Sequence, residues 1–286
     1  MRARALLART MVLTVGLCVT AAAAGCTSAP RPGPAAHLVA ATPGHSAARP
    51  TAAAGVPTAG VPTAGVPTAG VPTAAVPTAA DCPAAPYGAR LYAPGSSKTV
   101  ALTFDDGPGR STAAILAILA RYRVTATFFN IGVAMATRPW LVREEVEEGY
   151  GMGDHTWNHP DMVALSAASQ AAELSQASAE QWSIADTVPC AFRPPYGKYD
   201  ATTLMLAQQR RMGVWLWSVD TLDWMADGSG SSYWVQRIIR LAEQGGALSN
   251  PIVLMHDERE GNPATVAALP AIIEFYRSHG YGFVAL

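Results

Sequence analysis

The sequence predicts an α/β fold in which one domain of parallel strands and helices follows an unfolded amino-terminal tether. Strand and helix patterns alternate from Thr99 to the end of the 286-residue chain, as in proteins built from β-α units. Several of these strands run directly into polar side chains, where α/β folds place their chemistry. Residues 27–80 contain almost no large apolar residue, so folded sequence is expected from about residue 81 to residue 286. The alternation fits a barrel and an open sheet equally well.

Composition excludes one class of partner. The length of 286 residues allows one or two domains. The formal net charge is −1 and only 14% of the residues are charged. Because nucleic-acid binding needs a basic patch or stripe, we expect no nucleic-acid partner.

Residues 1–26 have the pattern of an export signal. Three arginines in the first nine residues precede an apolar run, 11–25, that is too short for a comfortable membrane span. The small residues before Cys26 resemble a bacterial lipoprotein processing site, although Ala23 stands where such sites prefer leucine. Lipidation of Cys26 is the favoured prediction, and an ordinary secretory signal cut near Ala24 is the alternative. Both predict an extracytoplasmic protein, either anchored by lipid to the outer face of the membrane or secreted.

Residues 27–80 are predicted to be a disordered linker. The segment 55–79 repeats the unit Gly-Val-Pro-Thr-Ala, with Ala in place of Gly in the last copy. Proline at every fifth position breaks helices and removes donors from sheets. A tether of this kind between a lipid and a domain is typical of a protein that works in the cell envelope.

The four cysteines have different expected fates. Cys18 leaves with the signal, and Cys26 carries the lipid. Cys82 and Cys190 then form an even pair in an oxidising compartment, which favours a disulfide between them. Two buried free thiols are the alternative.

Hydrophobic periodicity and capping residues place the elements of the folded part. Ser111 is a helix cap, Pro139 suits a first helical turn, and Gly149 ends the helix that follows it. The strands are predicted at 99–104, 125–131, 214–219, 252–255 and 281–285, with a short one ending at Phe192. The helices are predicted at 111–121, 139–148, 167–185, 202–212, 233–243 and 265–279.

Two adjacent carboxylates, Asp105 and Asp106, end the first of these strands before a Gly-Pro-Gly turn. Neighbouring negative charges are stabilised by an arriving cation, and side chains that point in opposite directions can take separate roles. The alternative is a strand-terminating turn with both carboxylates solvated.

His155 and His159 are four residues apart, which predicts two imidazoles on one face of a helical turn. With a carboxylate from Asp105 or Asp106 they complete three ligands and leave a position open for water, as in catalytic zinc sites. The same set suits ferrous iron in oxygenases. Two surface histidines are the simpler alternative.

Three further stretches carry polar chemistry near strand ends. Arg193, in a loop stiffened by two prolines, is suited to a bidentate pair with a carboxylate; a surface arginine is the alternative. Asp220 and Asp223 precede Trp224, whose ring suits a sugar-stacking wall; a solvated acidic loop with a core tryptophan is the alternative. Taken alone, a histidine at a strand end such as His256 is more often a structural residue than a catalytic one. Together with the other strand ends, however, it predicts an active site at one edge of the sheet.

These stretches resemble the five ordered motifs of the polysaccharide deacetylases, also known as carbohydrate esterase family 4 or the NodB homology domain. The motifs in this sequence are Thr103-Phe104-Asp105-Asp106-Gly107, His155-Thr156-Trp157-Asn158-His159, Arg193-Pro194-Pro195-Tyr196-Gly197, Asp220-Thr221-Leu222-Asp223-Trp224 and Leu254-Met255-His256. The resemblance covers about residues 97–286. It implies a distorted (β/α) barrel with an open groove.

The resemblance also implies a metal centre and a base. Asp106, His155 and His159 would hold one divalent metal, usually zinc and sometimes cobalt or another ion. Asp105 would be the general base that takes a proton from the attacking water. Arg193 would pair with Asp105 and orient it.

Substrate groups and a general acid follow from the same resemblance. His256 would protonate the departing amine, with Asp223 tuning its charge and Trp224 packing beside it. The backbone amide of Tyr196 would help to bind the oxyanion, and Leu254 would line the pocket for the acetyl methyl group.

The resulting expectation is a metal-dependent deacetylase, a monomer acting on N-acetylglucosamine-type residues of a glycan. Peptidoglycan is the first candidate substrate and chitin oligomers the next. Three alternatives remain open: an O-acetyl esterase acting on xylan, a catalytically weak glycan-binding lipoprotein, and a ferrous oxygenase that uses the same ligands.

Overall fold

The computed structural model describes residue 82 and residues 86–96, 98–226, 228–257 and 261–286. The predicted signal (1–26), its Cys26 and the predicted linker (27–80) lie outside the described residues. Among the residues described, no helix has the length and apolar character needed to cross a membrane.

The described part alternates strands and helices along the chain. The strands are β1 (Ala89–Arg90), β2 (Thr99–Asp105), β3 (Thr127–Asn130), β4 (Gly151–Asp154), β5 (Ala191–Phe192), β6 (Gly213–Trp215), β7 (Val219–Asp220), β8 (Ile252–His256) and β9 (Gly282–Phe283). The helices are α1 (Thr112–Tyr122), α2 (Gly132–Thr137), α3 (Pro139–Glu147), α4 (Ala167–Ala185), α5 (Ala201–Gln209), α6 (Ser232–Glu243) and α7 (Pro263–Ser278).

The strands form one curled sheet in the order β1-β6-β5-β4-β3-β2-β8-β7, with β9 paired to β2. Each of these strand pairs is parallel. Parallel pairing brings the carboxyl ends of the strands to one edge, where the polar motifs follow them. The expected distorted (β/α) barrel is confirmed.

Side chains of β2 alternate between the two faces of this sheet. Leu102 and Phe104 face outward, into the main core cluster against the helices. Thr103 and Asp105 face the barrel interior. Helices α1 and α7 cover the outward face with the buried side chains Ile115, Leu116, Leu119, Ala268, Leu269, Ile272 and Ile273. Burial of each large aliphatic side chain contributes about 1.5–3 kcal/mol.

The single strand predicted at 214–219 is wrong. The structure divides it into β6, which pairs with β1 and β5, and β7, which pairs with β8 near the other end of the sheet. Residues 216–218 carry the chain across the seam between these two ends. Periodicity did not reveal the break, because the apolar run continues through both halves.

Three of the strands and helices, β1, β4 and α2, have no counterpart in the prediction. Strand β4 has the sequence Gly-Met-Gly-Asp, which lacks the β-branched and aromatic residues typical of strands. Gly153 is needed there, since a Cβ atom at this position would lie 2.3 Å from the ring of Phe129. Helix α2 is only six residues long.

Several expectations about element ends also differ. Strand β3 is shorter than the predicted 125–131, and β9 is shorter than the predicted 281–285. Ser111 stands at the N-cap of α1 but makes no capping bond with its side chain; its Oγ accepts a hydrogen bond from the backbone N–H of Asn262 instead. Helix α5 ends at Gln209 rather than at residue 212.

A disulfide joins Cys82 to Cys190 in the structure, with the two Cα atoms 5.3 Å apart. Cys190 comes directly before β5. The beginning of the described chain is thereby bonded to the sheet.

Candidate active site

The motif residues converge at the carboxyl edge of the sheet. Asp105 on β2 lies directly beside His256 on β8, and Asp154 on β4 lies beside Phe192 on β5. Arg193 follows Phe192 directly. This register brings the predicted base, the predicted acid and the first residues of the remaining motifs into one cleft.

Asp106, His155 and His159 form a candidate metal centre. The Oδ1 atom of Asp106 lies 3.4 Å from Nε2 of His155 and 3.3 Å from Nε2 of His159. One ligand atom from each residue lies within 4.8 Å of the others. Among the described residues, this is the one cluster of His, Cys, Asp and Glu side chains with ligand spacing.

The predicted helical turn for the two histidines is wrong. His155 and His159 lie in a loop after β4 that reverses through left-handed backbone at Thr156 (φ 70°) and His159 (φ 64°). The Oγ1 atom of Thr156 accepts a hydrogen bond of 3.0 Å from the N–H of His159. The tight turn brings the two ring centroids to 4.9 Å from each other. The two histidines are therefore close together, as predicted, but a loop and not a helical turn places them there.

The chemistry of these side chains fits a bound metal. Asp106 Oδ1 is buried and has no hydrogen-bond partner among the described residues. Nδ1 of His155 lies 2.7 Å from the carbonyl oxygen of Arg193, which fixes that nitrogen as the donor and leaves Nε2 for a metal. Two ligand atoms of a tetrahedral metal site, each about 2.0–2.1 Å from the metal, lie about 3.3–3.4 Å from each other. The distances from Asp106 Oδ1 to Nε2 of both histidines match this separation.

The pKa values of the two histidines are shifted in opposite directions. Burial lowers the pKa of His159 to about 4, with a further lowering from the charge of His155, so His159 is neutral near pH 7. Burial also opposes charge on His155, but Asp105 and Asp106 outweigh it and raise the pKa of this residue.

Arg193 holds Asp105 from inside the barrel. Its Nη1 donates to Oδ1 of Asp105 at 2.6 Å and to Thr103 Oγ1 at 2.9 Å. Its Nε and Nη2 donate instead to the carbonyls of Trp215 and Leu216, each at 3.1 Å. The expected bidentate pair is therefore wrong, because the other donors of the guanidinium hold the backbone next to the seam.

The alternative of a surface arginine is also wrong. Arg193 is completely buried, and its guanidinium lies 4.1 Å from the ring centroid of Phe129. A cation in this position is attracted by the ring face and compensated by Asp105.

His256 is held by Asp223. Nδ1 of His256 lies 2.7 Å from Asp223 Oδ1. Oδ2 of Asp223 accepts bonds from the backbone N–H of His256 (2.8 Å), Thr265 Oγ1 (2.6 Å) and Asn262 Nδ2 (3.2 Å). Burial opposes charge on His256, but Asp223 outweighs it and raises the pKa of the imidazole to about 10. His256 is therefore a charged imidazolium near neutral pH.

The three remaining predicted residues differ in exposure. Leu254 is buried and, two residues before His256 on β8, faces the same side of the sheet. Tyr196 is 61% exposed, has φ 59° and lies edge-on to the ring of His159 at 4.7 Å. Trp224 is 52% exposed, so the alternative of a core tryptophan is wrong.

Sequence reasoning missed Asp154, which supports the histidine loop. Its Oδ1 accepts a bond of 2.7 Å from the N–H of Thr156, and its Oδ2 accepts one of 2.9 Å from Ser178 Oγ. Burial raises the pKa of Asp154 to about 7. An acid immediately before the first histidine was the available signal.

A second missed group lies on the outward face of the sheet. Asn130, Glu145 and Asp257 are all fully buried there. No pattern marked them, since Glu145 stands among acidic residues that read as a solvated helix face.

A family model described as polysaccharide deacetylase matches residues 92–215. A relative named peptidoglycan-N-acetylglucosamine deacetylase PgdA, from Listeria monocytogenes, is 34% identical over 192 residues, which are 67% of this chain and 38% of the relative. This chain therefore spans less than half the length of that curated relative. A peptidoglycan-N-acetylglucosamine deacetylase from Bacillus cereus is 32% identical over 200 residues, which are 68% of this chain and 88% of the relative.

The fold is similar to that of a solved structure, the Bc1960 peptidoglycan N-acetylglucosamine deacetylase in complex with 4-naphthalen-1-yl-N-oxidanyl-benzamide. The TM-score is 0.65 and the sequence identity 30%, with 70% of this chain and 91% of the solved chain covered.

Proposed function

This chain belongs to the polysaccharide deacetylase family, and we propose that it is a metal-dependent hydrolase that removes acetyl groups from N-acetylglucosamine-type residues of an envelope glycan. One observation carries the proposal: Asp105, held by Arg193, and His256, held by Asp223, are neighbours in register beside the metal-ligand cluster. Amide hydrolysis needs this combination of a base for water and an acid for the leaving amine.

Asp106, His155 and His159 would hold one divalent metal, for which we propose zinc, with cobalt or another divalent ion as substitutes. A metal at such a site supplies a bound water of lowered pKa and polarises the amide carbonyl. The neutral His159 and the Nε2 atom of His155 offer their lone pairs, and Asp106 offers its unpartnered oxygen.

Asp105 would take the proton from the attacking water. Arg193 holds its Oδ1, while Oδ2 lies 3.8 Å from Nε2 of His155 and so faces the ligand cluster. The two adjacent carboxylates thus have different surroundings, since Asp105 is hydrogen-bonded to a guanidinium, whereas Asp106 Oδ1 faces two imidazoles without a hydrogen bond. This difference supports a base role for one and a ligand role for the other.

His256 would protonate the nitrogen that leaves. An amine is a poor leaving group until it receives a proton, and the imidazolium stabilised by Asp223 carries that proton at neutral pH. Because Nδ1 faces Asp223, Nε2 is the atom that would donate.

Substrate contacts would come from groups at the rim and floor of the cleft. The exposed rings of Tyr196 and Trp224 suit stacking on sugar faces. We further propose that the N–H of Tyr196 contributes to oxyanion binding and that Leu254 lines the pocket of the acetyl methyl group.

Peptidoglycan is the proposed substrate, with chitin oligomers next. The names of the relatives and a predicted export signal, linker and catalytic domain at 1–26, 27–80 and 81–286 support an envelope glycan. We propose that Cys26 carries a lipid and that the protein is an extracytoplasmic monomer.

The test is acetate release by the full chain, metal-free and with added zinc or cobalt. Purified peptidoglycan, chitin oligomers and acetylated xylan serve as parallel substrates. Metal-dependent release from peptidoglycan or chitin is the expected result, whereas release from xylan alone would indicate the esterase alternative. Glycan binding without acetate release, with the metal shown to be bound, would refute the enzyme. Turnover that requires iron and oxygen would indicate the oxygenase.

A further inference from the structure

A buried polar cluster lies behind the candidate metal centre, on the opposite face of the sheet. We call it the outer cluster; it consists of Thr112, Asn130, Glu145 and Asp257, all with 0% exposure. Thr112 begins α1, Asn130 ends β3, Glu145 is in α3 and Asp257 follows β8. The four residues come from separate elements, and the charge of Asp257 contributes to the raised pKa of Glu145, so the two carboxyl groups lie near each other.

Strand alternation separates this cluster from the cleft. Phe129 faces inward, against Arg193, so the next residue, Asn130, faces outward. His256 faces the cleft, and Asp257 comes directly after it. The outer cluster therefore does not touch the reacting groups, and any role in catalysis must pass through the backbone between them.

The cluster is bonded into pairs that link elements. Asn130 Nδ2 donates to Glu145 Oε2 at 2.6 Å, which joins β3 to α3. Thr112 Oγ1 donates to Asp257 Oδ2 and accepts from the N–H of Gly109 at 2.7 Å. Helix α1, the turn after β2 and the end of β8 are thereby connected.

Asp257 also contacts the segment that carries the predicted metal ligand. Its N–H donates to the carbonyl oxygen of Asp105 at 3.1 Å. Its carboxylate packs so closely beneath Gly107 that a Cβ atom there would lie 2.3 Å from Oδ2. Asp257 therefore contacts the chain immediately before and immediately after Asp106.

Asp106 needs such support because its backbone is strained. It has φ 71°, a left-handed conformation that costs free energy for a residue with a Cβ atom, although aspartate adopts it more readily than most, and that persists where the surroundings enforce it. The carbonyl of Gly107 is held from the other side by the N–H of Ile131 at 2.9 Å. Ile131 directly follows Asn130, so the cluster reaches the loop at two points.

The composition of the cluster is costly for packing alone. Three of its oxygens, Asn130 Oδ1, Glu145 Oε1 and Asp257 Oδ1, are buried without a hydrogen-bond partner among the described residues. Removing carboxyl groups from water costs free energy, and apolar residues of similar volume commonly replace buried polar sets without loss of stability. Burial raises the pKa of Glu145 and, to about 7, that of Asp257. A polar cluster at this buried position therefore points to a role other than stability.

We propose that Glu145 and Asp257 are positioning residues for Asp106, acting through the loop that begins at Gly107. Asp257 holds this loop from behind, and Glu145 with Asn130 fixes the strand end against which the loop rests. The inference rests on the proposed metal-dependent function, in which Asp106 is a ligand. Loss of the cluster should then weaken metal binding even in a folded protein.

The test measures the zinc dissociation constant of the metal-free full chain by calorimetric titration, together with the visible absorption of the cobalt-loaded protein. Asp257→Ala and Glu145→Ala should raise the dissociation constant about 10–100-fold, the usual effect of losing support for a ligand. The cobalt spectrum should change and kcat should fall more than KM rises. Asp257→Asn keeps the shape and the acceptor for Thr112, so it should restore binding to within about threefold of wild type.

Two further variants, one test and one control, are used in case Asp257→Ala does not fold. Thr112→Val removes the bond donated to Asp257 Oδ2 and the bond accepted from the N–H of Gly109, at nearly constant volume, and should still weaken zinc binding. Glu144→Ala, on the exposed face of α3, is the matched control and should change nothing. An unchanged dissociation constant and cobalt spectrum in Thr112→Val and Glu145→Ala, with only the melting temperature lowered, would overturn the inference. Failure of wild-type protein to bind zinc would instead refute the proposed function.

Discussion

Arg193 and Asp105 are joined by one hydrogen bond of 2.6 Å between Nη1 and Oδ1, and both side chains are buried. Nη1 also donates to Thr103 Oγ1, and Nε and Nη2 donate to the backbone carbonyls of Trp215 and Leu216. The guanidinium therefore orients the proposed base and also holds the chain where the barrel closes.

Substitution of Arg193 by Lys should damage stability and activity together. A lysine keeps the charge but not the planar fork, so the carbonyls of Trp215 and Leu216 lose their donors. We expect the free energy of unfolding to fall by about 1–3 kcal/mol in urea denaturation, with kcat also reduced. Arg143→Lys, at the exposed surface of α3, is the control. Equal stability of both variants would contradict the prediction.

Asp105→Asn should abolish turnover while the protein keeps its metal. The amide cannot accept the proton of water, and such a loss lowers rates about 10²–10⁴-fold. The measurement combines acetate release with the zinc content after gel filtration. Activity near that of wild type would show that Asp105 is not the base.

Asp223→Asn should move the alkaline limb of the pH–rate profile to lower pH. His256 must be protonated to act as an acid, so the rate falls as pH rises through its pKa. Burial alone lowers this pKa, and the charge of Asp223 raises it to about 10. Removal of that charge therefore lowers the pKa. An alkaline limb that stays in place would exclude His256 as the acid.

The same pair predicts a pH dependence of stability. Because the folded pKa of His256 lies above its ordinary value of 6.5, the contribution of its charge is fully present below pH 6.5 and is lost as pH rises toward 10. Thermal melts of wild type over this range should show the loss, and Asp223→Asn should show a smaller one. Parallel curves for the two proteins would contradict the assignment.

Metal removal should lower both activity and stability. A ligand that binds only the folded state stabilises it by about 2.7 kcal/mol at one hundred times its dissociation constant. Zinc should therefore raise the melting temperature of wild-type protein, and a chelator should reverse the shift. His155→Ala should abolish this response. A zinc-dependent shift of equal size in that variant would place the metal elsewhere.

Reduction of the disulfide should destabilise the domain. The bridge between Cys82 and Cys190 closes a segment with a sequence separation of 108, and loss of a native disulfide costs about 2–5 kcal/mol. Urea denaturation with and without a reductant measures this cost, and the double variant Cys82→Ala, Cys190→Ala should match the reduced protein. Identical midpoints under both conditions would show that the bridge does not contribute.

Strong local signals were predictable from sequence. The periodic pattern of α4 predicted its bounds, Ala167–Ala185, and the apolar runs of β2 and β8 predicted both strands to within one residue at each end. Because parallel strands share an edge, the polar residues after them were expected in one place. Asp105 and His256 indeed lie beside each other.

Features set by tertiary packing were not predictable. The apolar run that contains β6 and β7 gives no sign that its halves pair with different parts of the sheet. The left-handed turns of Thr156 and His159 depend on side-chain bonds within the loop, which spacing alone does not encode. Glu145 is buried because Asn130 meets it across the sheet–helix interface, a long-range contact with no periodic signature.

The seam at residues 216–218 has a consequence for how the molecule opens. Arg193 binds the carbonyls of Trp215 and Leu216 and also the proposed base, so separating the two sheet ends would release Asp105 as well. Amide protons of β2, β6 and β8 should therefore exchange with deuterium in one cooperative event, at rates that report the global unfolding equilibrium. The protein would then lose its activity and the closed form of its barrel in the same step. No open-barrel species would still hydrolyse substrate.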